Sequence, residues 1–107
     1  MSSCVPAQAI VTALSTTRKA VSGGGSGNRV CKGFRAHNDG AGTLVFIFEV
    51  KHGANWETFI RLTVGANNVG MSTVVVSLTG SETINVSTAS APAGSASATF
   101  EYVTHEV

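Results

Sequence analysis

Apolar and polar side chains alternate along most of the chain, a two-residue period that gathers the apolar ones on one face of an extended strand. Candidate strands cover residues 9–14 (AIVTAL), 29–37 (RVCKGFRAH), 43–51 (TLVFIFEVK), 56–64 (WETFIRLTV), 72–79 (STVVVSLT), 82–88 (ETINVST) and 97–107 (SATFEYVTHEV). Turn-forming clusters separate them: Asn38-Asp39-Gly40-Ala41-Gly42, His52-Gly53-Ala54-Asn55, Gly65–Gly70, Gly80-Ser81 and Ala89–Gly94. Asn, Asp and Gly tolerate positive φ, so the first cluster reads as a hairpin turn. No window carries an apolar stripe at helical spacing. Short strands with regular turn signals predict an all-β fold, a single antiparallel β-sandwich or jelly-roll-like domain of about seven to eight strands. Residues 1–8 are expected to form a flexible, extended N-terminal arm, and residues 9–107 the domain. Its glycine-rich loop, 22–28, would lose too much backbone entropy inside a regular element.

The same period predicts the core. Val30, Phe34 and Ala36 share a face, as do Leu44, Phe46, Phe48 and Val50. Trp56, Ile60, Leu62 and Val64 fall roughly together, Ile84 and Val86 make a shorter inward set, and Phe100 and Tyr102 another. Residues 43–51 break the rule, because Val45 and Ile47 make the second face apolar too. A sheet with one solvated face should alternate, so that second face is expected to be covered. A loop or arm of the same chain would cover it, or a neighbouring subunit. Val45 and Ile47, with Val5 and Pro6 of the arm, are the interface candidates.

Composition narrows the function classes. Only 12% of residues are charged and the net charge is +1. Nucleic-acid binding draws on a basic surface that displaces counterions, so neither it nor a polybasic membrane contact is expected. A surface of Ser, Thr, Ala, Gly and Asn suits a chain covered in an assembly, since free domains carry more charge to stay dispersed. The two cysteines, Cys4 and Cys31, show no zinc spacing and are too few for a disulfide framework. Cys31 reads as a small buried or half-buried residue. The first residues have no basic segment leading into a long apolar run, so the protein is expected to be made in the cytosol.

Catalytic chemistry finds no convergent set. His37 and His52 lie at opposite ends of adjacent strands, roughly 30 Å apart at about 3.3 Å per residue. His105 and Glu106 are adjacent and point to opposite faces. Glu49 and Glu57 are expected to pair across strands with Lys51 or Arg61. The 22–27 glycine run lacks the Lys-Ser/Thr and helix of a phosphate loop. Trp56 reads as core, with stacking on a sugar as the alternative. No enzyme, cofactor or metal is expected.

Residues 30–50, VCKGFRAHNDGAGTLVFIFEV, resemble a recurring unit of small tailed-phage structural proteins, in which a strand ends in an Asn-containing turn and a hydrophobic strand follows. Phe59-Ile60-Arg61-Leu62, then Leu78–Ile84, then Ala89-Ser90-Ala91-Pro92-Ala93, then Phe100-Glu101-Tyr102-Val103 correspond to its later parts. Ser81 and Glu82 beside Gly80 and the long glycine loop depart from that pattern. The resemblance spans residues 28–107. It implies a virion protein, assembled in the host cytoplasm, of capsid decoration (cement) type. Such a protein binds the outer face of the phage head as an oligomer, often a trimer, with the major capsid protein as partner. A tail, neck or fibre component of the same fold, or a carbohydrate-binding module on a receptor-binding tip, are the alternatives.

Overall fold

A computed structural model describes residues 4–21 and 27–105. The described residues are all-β, with nine strands. These are β1 (Cys4–Val11), β2 (Lys19–Ala20), β3 (Arg29–Asn38), β4 (Leu44–His52), β5 (Asn55–Val64), β6 (Asn68–Ser72), β7 (Val76–Leu78), β8 (Thr83–Thr88) and β9 (Ala96–His105). They form two antiparallel sheets. Sheet 1 runs β1-β9-β3-β6, with β7 also paired to β3, and sheet 2 runs β2-β8-β4-β5. Strands β6 and β7 pair with successive parts of β3 and so make one interrupted edge. Counted that way, each sheet has four strands, and the connections are those of a jelly roll.

Among the described residues only β4–β5 is a hairpin between sequence neighbours. Its turn is Gly53-Ala54, with Gly53 at φ 59, as a tight primed turn requires. The Asn38–Gly42 cluster does something else. It carries the chain from β3 in sheet 1 to β4 in sheet 2, and none of its residues has positive φ. Gly40 serves close packing here: a Cβ on it would lie 2.8 Å from the backbone nitrogen of Gly94. Asn38 organises the corner from within, as its amide donates to the carbonyls of Gly42, Val64 and Gly65 and its oxygen accepts from Gly40 N–H.

Residues 4–8, expected in a free arm, are the first part of β1 and pair with β9, Cys4 opposite His105 and Gln8 opposite Glu101. A proline-containing segment reads as loop, but an edge strand tolerates proline because one side of its backbone is unpaired. Of the glycine-rich loop, residues 22–26 lie outside the described residues. The expected strand 72–79 divides into the end of β6 and β7, and β6 takes in part of what read as the 65–70 loop.

The core lies between the sheets. Phe34 is its hub, with ring centroids 5.5 Å from Phe48, 5.3 Å from Phe59 and 5.2 Å from Phe100. Leu44, Phe46, Phe48 and Val50 are all buried, as their alternation predicts, and so are Ile84, Val86 and Phe100. Two bulges correct the remaining assignments. In β3 the register against β9 shifts between Lys32 and Arg35, around Gly33 at φ 67. An extra residue inverts which side chains point inward. Arg29 and Cys31 are therefore buried with Phe34 and Ala36, while Val30 is only half-buried. In β5 the ladder steps from Phe48 opposite Ile60 to Glu49 opposite Thr58, leaving Phe59 as the extra residue. Ile60, Leu62 and Val64 face the core on one side of that bulge, and Trp56 and Thr58 face outward on the other.

Candidate functional site

The outer face of sheet 2 bears a cleft of about 760 Å³ whose walls include Arg18, Ile47, Glu49, Trp56, Thr58, Arg61 and Ser87. Alternation on β4 sends Ile47 and Glu49 to this face, and the β5 bulge delivers Trp56 and Thr58 to it. The segment before β2 runs along the edge of β8, where Thr88 N–H donates to Ser15 O at 2.9 Å. From there Arg18 reaches across the small Ser87 side chain. Its Nε lies 2.8 Å and its Nη2 3.3 Å from the two Glu49 oxygens. Thr58 Oγ1 donates to Glu49 at 3.4 Å. The Arg18 guanidinium sits 4.2 Å from the centre of the Trp56 ring, and Lys51 Nζ lies 5.2 Å from it. The hydrogen bond that Arg18 donates to Glu49, opposed by desolvation, raises the Arg18 pKa.

This arrangement neutralises a buried carboxylate and fastens the 12–20 segment to the sheet. The Glu49 oxygens are taken up by Arg18 and Thr58, so Glu49 pairs with neither Lys51 nor Arg61, contrary to expectation. Its true partner, Arg18, lies 31 residues away in sequence, beyond the reach of strand-pattern reasoning. Glu57 also has another partner, His52 Nε2 at 3.4 Å, while His52 Nδ1 meets Glu82. The two carboxylates approach opposite sides of the imidazole, so they cannot converge with it on one metal ion. Among the described residues no group of three or more His, Cys, Asp or Glu side chains could hold one. Glu82 also accepts from Thr79 N–H at 2.7 Å and Thr79 Oγ1 at 3.1 Å. The backbone bond is the main reason its carboxyl is held below the ordinary value of 4.5.

Val45 and Ile47 face outward on sheet 2 and are half-buried. The second apolar face of β4 is thus covered in part by the chain's own Arg18 and the segment that carries it. Val5 and Pro6 lie in sheet 1, opposite Thr104 and Val103 of β9. Val45 and Ile47 therefore sit on sheet 2, and Val5 and Pro6 on an edge strand of sheet 1. Cys31 is fully buried, which pushes its thiol pKa up.

A second surface went unmarked in the strand pattern. Val69 and Met71 on the outer face of β6, with Val74 and Val75 just beyond it, are all exposed, Met71 by 63% and Val75 by 60%. The alternation of 72–79 suggested a half-buried strand. The β6–β7 interruption instead swings residues 73–75 off the ladder. Compared with models of known families and with curated proteins, the sequence matches none of them.

Proposed function

We propose that this chain is a structural component of a virus particle, of the head-decoration type, which acts by packing as a homo-oligomer against a lattice of major capsid protein. The observation that carries the packing role is the run of exposed apolar side chains on an uncharged sheet edge, Val69 to Val75. Contiguous apolar surface on a small domain marks a contact with another macromolecule. The virion assignment comes from the resemblance of residues 28–107 to small tailed-phage structural proteins, and a trimer is the arrangement that resemblance implies. A protein that binds only the assembled lattice stabilises it by mass action, and repeated equivalent contacts add through avidity. Co-sedimentation of the purified chain with assembled phage heads and with unassembled capsid subunits tests this. Binding to heads alone is expected. A chain left in the supernatant in both cases refutes the reading, and binding to tails alone moves it to the tail.

Trp56 favours a second reading, carbohydrate recognition at a particle tip. It lies on the outer face in a cleft whose walls include Thr58 and Ser87 hydroxyls, and aromatic faces stack on sugars while hydroxyls fix their orientation. Arg18 already occupies the ring. A glycan affinity abolished by Trp56→Ala supports this reading; an unchanged binding profile removes it.

A further inference from the structure

The two edges of sheet 1 differ in how they meet solvent. Strand β1 at one edge contains Pro6, which has no N–H to offer a further strand. The other edge, β6 with residues 73–75, carries neither the charge nor the proline that keep edge strands from pairing. Residues 62–81 contain no Asp, Glu, Lys, Arg, His or Pro. Val69 and Met71 project from the outer face of β6, exposed by 53% and 63%. The inner face of the strand is sealed, since a Cβ at Gly70 would lie 2.7 Å from Val64 Cγ2. Among the described residues no backbone hydrogen bond ties the free side of 68–75 to another segment.

We propose that β6 pairs antiparallel with β6 of a second copy across a twofold axis, so that sheet 1 continues through the dimer. This deepens the reading of the chain as a self-assembling packing protein and rests on it, with a twofold dimer in place of the trimer that the resemblance implies. The occupant follows from charge and symmetry. An edge without charge meets its own copy with no repulsion, whereas a charged strand would lose hydration there and find no counter-charge. Antiparallel pairing of one strand with itself closes as a twofold contact and leaves only the Pro6-containing β1 edges at its ends. The register follows from the side chains. Keeping outer face beside outer face requires odd residues opposite odd ones. Among such registers, centring on Gly70 alone sets Val69 opposite Met71 of the second copy and Met71 opposite its Val69. Asn68 then faces Ser72 of the second copy on the inner side.

Sedimentation equilibrium of the full chain tests this, with circular dichroism to confirm the fold of each variant. The wild type is expected at twice the 10.9 kDa chain mass. Val69→Lys with Met71→Lys sets lysine opposite lysine twice and is expected to halve the mass. Val69→Lys with Met71→Glu sets each lysine opposite a glutamate of the second copy and is expected to restore the dimer. Both sites are exposed in the single chain, so neither variant disturbs its core. A wild type of one or three chains, a double-lysine variant of unchanged mass, or a lysine–glutamate variant that stays monomeric each overturns the proposal. Head binding is scored separately. A wild type that binds heads as a monomer removes the pairing and leaves the decoration reading standing, and a dimer that ignores heads does the reverse.

Discussion

Asn38 is 1% exposed and holds three carbonyls and one N–H of the corner between the sheets. Its residue type was legible as turn chemistry, but its work is different, because the corner needs a buried amide and not positive φ. Asn38→Ala leaves those groups unpaired at about 1–3 kcal/mol for each that water cannot reach. A loss of about 2–4 kcal/mol is expected in urea unfolding. Asn38→Asp places a carboxylate among carbonyl oxygens and is expected to cost more than Asn38→Ala at pH 7. Glu82 makes a pH-dependent contribution. Its folded pKa lies below the ordinary 4.5, so the stability it adds is present above that value and fades as pH falls through the folded pKa. Wild type is expected to lose stability relative to Glu82→Gln as pH drops below about 4.5, read from paired denaturant titrations. The equality of the two curves from pH 7 down to 3 would contradict it. Cys31 is buried with a raised thiol pKa. In a Cys4→Ser background a thiol reagent at pH 7 is expected to label it only after unfolding.

The strands β3, β4, β5, β8 and β9 were legible as β-rich runs between turn clusters because each lays apolar side chains on its core face. What alternation does not contain is a bulge. One extra residue at Gly33 and another at Phe59 reverse the facing of everything on one side of them. Trp56 therefore belongs to the outer cleft, and Arg29 and Cys31 to the interior. The pairing between corner loops was equally hidden, since Gly40 and Gly94 meet although 53 residues separate them along the chain. Two neighbouring glycines separate close approach from mere turn composition. Gly40→Ala would press a methyl into the Gly94 backbone and is expected to cost about 1–3 kcal/mol. Gly42 has nothing within 4 Å of its would-be Cβ and no positive φ, so Gly42→Ala is expected to be neutral or slightly stabilising. Equal effects of the two in thermal melts would refute the distinction.

At the scale of the molecule, four phenylalanines that are fully or almost fully buried join the two sheets, Phe34 and Phe100 from sheet 1 and Phe46 and Phe48 from sheet 2. Phe34 touches the most aromatic partners. Phe34→Ala is expected to cost about 3–5 kcal/mol, as large core truncations do. Phe59→Ala, at a half-buried bulge, is expected to cost less in the same unfolding assay. The sequence by itself determined the all-β class, most strand positions, the apolar set of β4 and the scarcity of charge. These depend on local period and composition, which a single strand carries within itself. The tertiary structure alone decided the strand order of the two sheets, the crossing at Asn38–Gly42 and the partner of Glu49. It also decided which apolar residues stay exposed. Those features join positions far apart in sequence, or turn on a one-residue bulge. No local pattern distinguishes a strand that will be covered from the edge strand β6 that is left open.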